Sequence, residues 1–156
     1  MKEFSLEELH AFIVRAKAAT YVGGGMKSLS HRPGSHDLEY HDGPFAYLDS
    51  YFGGSDFLGE EVVYLEGDPI WAMNYYGRIL QSSRITAAEA GGIIKESLSK
   101  MYREGRFLGG FTNGTDTGTY VDESEGDLAA FTGRETITRD RVTVYELLYH
   151  GGLVRP

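Results

Sequence analysis

Three ring-rich apolar runs separated by short glycine-containing breaks constrain this chain most. Phe45–Phe52, Phe57–Leu65 and Ile70–Tyr76 each read as a strand, and the breaks Gly53-Gly54-Ser55-Asp56 and Glu66-Gly67-Asp68 read as hairpin turns. Connections this short cannot hold the crossover that a parallel pair needs, so the three runs are antiparallel neighbours. After a glycine-rich stretch from Arg106 to Gly118, the runs Thr119–Asp122, Leu128–Thr132 and Val142–Tyr149 fit three further strands.

Two helices complete the pattern. Ser5 caps the first, with Glu8 as its capping-box partner and Phe4 and Leu9 as a hydrophobic staple. Such a cap contributes ~1 kcal/mol. Leu6, Leu9, Phe12, Ile13 and Ala16 form one apolar stripe that ends near Ala19, ahead of Gly23-Gly24-Gly25. Thr86 and Glu89 repeat the capping box, Ala90, Ile94, Leu98 and Met101 give the second stripe, and Gly105 stops it. Gly91 and Gly92 each weaken that helix by about 1 kcal/mol relative to alanine. Met26 to Gly43 reads as a polar loop with a short extended piece at Leu38–Tyr40, and no internal repeat or linker is legible. The expectation is one α+β domain over residues 1–156. It is an antiparallel, hairpin-rich sheet of about six strands packed against two helices.

Composition excludes several classes. A chain of 156 residues buries roughly 68–70% of its unfolded surface and needs no disulfide or metal staple. There is no cysteine, which removes thiolate nucleophiles and cysteine-ligated zinc and suits a reducing compartment. The N-terminus MKEFSLEELH is acidic where a signal peptide is basic then apolar, and no run approaches the ~20 apolar residues of a membrane span. A cytoplasmic protein is expected. The net charge of −8 argues against a direct nucleic-acid partner. Residues 1–78 carry 6 basic and 12 acidic side chains, so the acidity lies mainly in the first half. Aromatics make up 13% of the chain, with 11 tyrosines; sheet packing explains such rings, and so does a tyrosine-lined cavity.

The second hairpin is where chemistry is sought. With Gly67-Asp68 as a two-residue turn, Leu65 pairs with Ile70, Val63 with Ala72 and Glu61 with Asn74, all on one face. Tyr64, Trp71, Val62, Met73, Glu60 and Tyr75 then occupy the other. Each face carries a carboxylate among apolar neighbours, and a buried carboxylate must be paired or lie in a cleft. Asp49 poses the same problem within Phe45, Tyr47, Asp49, Tyr51, and Arg78 is a candidate counter-charge. An internal salt bridge and a pocket for a small polar or aromatic ligand both satisfy this pattern. His31, His36, Asp37 and His41 crowd one loop but fit no zinc spacing, and the histidines read as solvated. His150 ends a strand before Gly151-Gly152, where a side chain can face a pocket mouth. The glycine segments lack the GxGxxG and Gly-Lys-Ser/Thr patterns, and no GxSxG is present.

The strings RPGSHDLEY (32–40), YLDSYFGG (47–54), FLGEE (57–61), WAMNYYGR (71–78) and YHGGLV (149–154) resemble an uncharacterised bacterial family. It is a domain of unknown function often found behind an XRE-type helix-turn-helix. The resemblance runs from about Phe12 to Val154 and implies a sensor or effector domain, with no catalytic residue assigned. Here no helix-turn-helix is expected ahead of the domain. Arg32, Asp37, Asp49, Glu60, Glu61, Trp71, Asn74, Tyr76, Arg78 and His150 are the candidate ligand-binding residues. A small-molecule-binding domain is the first functional expectation, with no cofactor and no metal. The alternatives are a hydrolase- or lyase-type enzyme using carboxylates with His150, and a protein-interaction module.

Overall fold

In the computed structural model, residues 3–22 and 27–156 are described. Helix α1 (Leu6–Lys17) runs on into a π-helical turn, Ala18–Val22. The strands β1 (Lys27–Ser28), β2 (His36–Asp42), β3 (Phe45–Gly53), β4 (Phe57–Leu65) and β5 (Asp68–Ile79) follow. Helix α2 (Ala87–Arg103) leads into β6 (Phe111–Thr115), β7 (Gly118–Asp127), β8 (Ala130–Arg139) and β9 (Val142–Leu153). Both helices begin with the expected reciprocal capping boxes, Ser5 with Glu8 and Thr86 with Glu89. The break read at Gly23-Gly24-Gly25 and Met26, and the leader reading at Met1 and Lys2, lie outside the described residues. Among the described residues no helix is long and apolar enough to cross a membrane.

The fold is α+β with two helices, but the antiparallel sheet has nine strands among the described residues, ordered β1-β2-β3-β4-β5-β9-β8-β7-β6. The estimate of about six fell short for a physical reason. β2 (HDLEYHD) and β6 (FTNGT) carry few apolar side chains, and β1 is two residues long. They form by backbone pairing, β1 to β2, β2 to β3 and β6 to β7.

The second hairpin turns one residue earlier than the sequence suggests. Leu65 pairs with Asp68 across Glu66-Gly67, both at positive φ, and an irregularity at Val63/Tyr64 restores the ladder. Val63 therefore opposes Trp71, Glu61 opposes Met73, and Glu60 opposes Asn74. Glu61, Met73 and Tyr75 share the inner face, while Glu60, Asn74 and Tyr76 turn outward.

The chain also contains a repeat that the sequence reading missed. Setting β1 aside, the strand order is palindromic about the β5–β9 pair, so α1-β2-β3-β4-β5 matches α2-β6-β7-β8-β9. Tyr47, Asp49, Gly53, Phe57, Gly59, Glu61, Val63 and Tyr75 recur in order as Tyr120, Asp122, Gly126, Phe131, Gly133, Glu135, Ile137 and Tyr149. Tyr75 and Tyr149 are paired across β5–β9, as an approximate two-fold axis between the strands requires. One extra residue in the β7–β8 turn and the divergence of the other positions hide the repeat from a linear reading.

The helices cover the inner face. Leu9, Phe12, Ile13, Ala90, Ile93 and Ile94 bury against Tyr47, Val63, Trp71, Tyr120, Ile137 and Val144. At one end Trp71 stacks on Phe131 at 5.8 Å, Phe107 meets both rings edge-on, and the Trp71 indole donates to the Leu128 carbonyl at 3.1 Å. These rings are buried and packed together, and beyond Phe107 the interior is hollow.

Candidate functional site

A cavity of about 570 Å³ lies between the helices and the inner face, within the range of roughly 300–1,000 Å³ usual for ligand pockets. Its mouth is rimmed by exposed residues: Lys27, Gly53-Gly54-Ser55 in the β3–β4 turn, and Ala87 and Lys95 on α2. Ile94, Leu98, Met101 and Leu147 supply apolar wall. Its floor carries four carboxylates, Asp49, Glu61, Asp122 and Glu135, each less than a tenth exposed.

The repeat explains how these acids are placed. Asp49 opposes Glu61 across β3–β4, and Asp122 opposes Glu135 across β7–β8. In each half a tyrosine reaches over the neighbouring strand. Tyr75 crosses Gly59 and donates to Asp49 Oδ1 at 2.6 Å, and Tyr149 crosses Gly133 and donates to Asp122 Oδ1 at 2.7 Å. A Cβ at Gly59 or Gly133 would overlap those rings, so the glycines are the gaps through which the hydroxyls reach the acids.

The two halves differ in their cation. Lys17, on the last turn of α1, places Nζ 2.5 Å from Glu61 Oε2 and 5.1 Å from the centre of the Phe107 ring. It is 4% exposed and is the buried cation among the described residues. Glu135 instead accepts from the Tyr120 hydroxyl. Asp122 and Tyr145 are among the residues around the cavity, and Asp122 Oδ2 and the Tyr145 hydroxyl are buried with no hydrogen-bond partner among the described residues.

Burial, followed by the charge of Glu61, pushes Asp49 up to about 7 against the pull of the Tyr75 hydrogen bond and Lys17. Burial and then Asp122 push Glu135 up to about 7. Burial pushes Asp122 up to about 6, opposed by Tyr149, Arg106 and Lys17. The interior thus holds protons near neutrality where exposed acids would hold none.

Of the sequence candidates, Asp49 and Glu61 meet in this cavity, and Trp71 packs in the hydrophobic core beside it. The others lie elsewhere. Glu60, Asn74, Tyr76, Arg78 and His150 point outward from β4, β5 and β9 and are exposed. Arg78 pairs with Glu146 at 3.5 Å and not with an inner-face acid. His150 stands opposite Asn74, on the other face from Asp49 and Glu61, so it forms no couple with either of those carboxylates. Asp37 is 1% exposed behind the loop at 31–35. It accepts from the His31 amide at 2.9 Å, the His31 ring at 2.5 Å and Ser50 Oγ at 2.8 Å. Burial alone would raise it, but these bonds together with Ser35 hold it down at about 2. Arg32 donates to Ser50 Oγ at 2.9 Å and lies over the Phe52 ring at 4.7 Å. Asp37 and Arg32 therefore anchor the 31–35 loop to the outer side of the sheet.

Lys17, Asp122, Glu135 and Tyr149 were missed by the sequence reading. The recurring Tyr-x-Asp and Gly-x-Glu pairs are the signal that points to two of them, Asp122 and Glu135. The family model for a domain of unknown function (DUF5680) matches residues 49–154, more than half of the chain, and the protein belongs to that family. The matched span holds all four cavity acids and both bridging tyrosines. No curated protein and no solved structure matches the chain.

Proposed function

We propose that this domain binds a small molecule in the cavity between its helices and its sheet. One observation carries the reading: among the apolar walls of the hollow stand four buried carboxylates and polar atoms without a hydrogen-bond partner among the described residues. Buried charge destabilises a fold unless something meets it, so an arrangement built for stability alone would pair or replace these groups. The reading takes the domain as a bacterial, cytoplasmic, sensor-like module. Its motif resemblance to domains fused behind helix-turn-helix units, and its cysteine-free composition, support that setting.

Gly91 tests it. This helix residue lines the cavity, and a Cβ there would meet nothing within 4 Å. Gly91→Leu therefore leaves the helix intact while projecting a side chain into the cavity. A thermal-shift screen of polar and aromatic metabolites is expected to yield stabilising compounds whose effect the variant abolishes. Compounds that stabilise both proteins equally would place binding elsewhere.

An interaction module is a second reading, favoured by one outer-face feature. Leu58, Tyr76 and Leu148 form a cross-strand row and are 56%, 43% and 50% exposed. Sedimentation across a concentration series reads self-association through that row, and Tyr76→Lys is expected to suppress it.

A further inference from the structure

The approximate two-fold turns the difference between the two half-sites into information about the ligand. In the first half, an acid pair (Asp49, Glu61) and a bridging tyrosine (Tyr75) are met by the ammonium of Lys17. In the second half, the matching acids (Asp122, Glu135) and tyrosine (Tyr149) are present, but among the described residues no ammonium bonds to them, and Lys17 acts on them only from its place on Glu61. Aligning the capping boxes sets Ser5 on Thr86 and Tyr21 on Tyr102, and it sets Lys17 on Leu98. Leu98 lines the cavity but carries no charge. The oxygen left without a partner, Asp122 Oδ2, belongs to this second acid pair, and its residue is 3% exposed.

We propose that the cavity takes a lipophilic amine whose ammonium occupies the second half-site, donating to Asp122 Oδ2 and facing Glu135, as Lys17 does toward Glu61 in the first. This rests on the ligand-binding reading above and names the chemical class. The amine's apolar body lies against Ile94, Leu98 and Met101, the wall contributed by α2. Four acids face one buried ammonium, and burial keeps protons on Asp49, Asp122 and Glu135; an entering cation is met by ionising such an acid, an exchange that a neutral or anionic guest of the same shape cannot make. Lys27 and Lys95 stand at the exposed mouth, where solvent screens them. Arg106, the other cation whose charge reaches Asp122, is engaged by Glu104 and by the Leu108 and Gly110 carbonyls. A primary or secondary amine fits better than a quaternary one, because the empty acceptor calls for an N–H.

The test is calorimetric titration of three probes of one shape, phenethylamine, phenethyl alcohol and hydrocinnamate, into the wild-type protein, Asp122→Asn and Gly91→Leu. Asparagine keeps an oxygen for the Tyr149 hydroxyl; Glu135→Gln is the second variant should Asp122→Asn not fold. The expected result is binding of the amine about tenfold or more tighter than the alcohol, lost by about the same factor in Asp122→Asn, with Gly91→Leu abolishing it. Tighter binding of the alcohol or carboxylate, blocked by Gly91→Leu, would overturn the amine and leave the binding domain standing. Amine binding indifferent to both variants would place it outside the cavity and overturn the inference. Absence of binding by all three probes into the millimolar range would overturn the inference and the binding reading together.

Discussion

Asp49, Asp122 and Glu135 carry protons in the folded protein at pH values where the unfolded chain has lost them. The sign of the linkage follows. A carboxyl whose folded pKa is raised adds stability below its unfolded value, and that stability is lost as pH rises through the folded value. Asp37, held at about 2, acts in the opposite sense, supporting the fold above its unfolded value and failing it toward pH 2. The unliganded protein is therefore expected to melt at a falling temperature between about pH 4.5 and about pH 8. Asp122→Asn, which cannot ionise, is expected to flatten that decline. A melting series across buffers, wild type against variant, checks both slopes. An equally steep fall in the variant would mean that Asp122 does not titrate in this range. These single-residue assignments were the least legible part of the sequence. Strand alternation correctly singled out Asp49 and Glu61 as acids among apolar neighbours. It says nothing about which face meets the helices, and a one-residue error at the Glu66-Gly67 turn carried Asn74 to the wrong side.

At the scale of elements, capping and turn chemistry govern. Both helix starts were legible because a capping box is a local hydrogen-bond pattern written in four residues. Ser5→Ala is expected to cost about 1 kcal/mol, read as a lowered denaturation midpoint at unchanged slope. Gly92→Ala should do the reverse: a Cβ at Gly92 meets nothing within 4 Å, so the variant gains about 1 kcal/mol of stability. Gly133→Ala is the contrasting case, because its Cβ would enter the Tyr149 ring and drive the hydroxyl off Asp122. That variant is expected to lose about 1–3 kcal/mol, with a changed near-ultraviolet tyrosine spectrum. Wild-type stability in Gly133→Ala would show that the tyrosine bridge is dispensable. Strand β2 was legible only at Leu38–Tyr40 and β6 not at all, because backbone pairing to a neighbour, not side-chain periodicity, makes them strands.

The whole molecule is two copies of an αβ₄ unit joined edge to edge across β5 and β9, with β1 added at one end. The joint places Tyr75 against Tyr149 and brings two acid pairs to one hollow. Antiparallel order was readable from short connections, but the duplication was not. The matching residues lie mainly at turn glycines, bridging tyrosines and cavity acids, while many positions that only need to be apolar differ between the halves. One substitution in an otherwise buried cluster, lysine at position 17 against leucine at 98, separates the filled half-site from the open one.

That asymmetry gives the most direct measurement: calorimetric titration of phenethylamine into Leu98→Lys beside the wild type. The new ammonium should reach the Asp122–Glu135 pair from α2, raise the melting temperature and eliminate amine binding. Undiminished binding in a folded Leu98→Lys protein would contradict the account, because the second half-site would then not be where the amine goes.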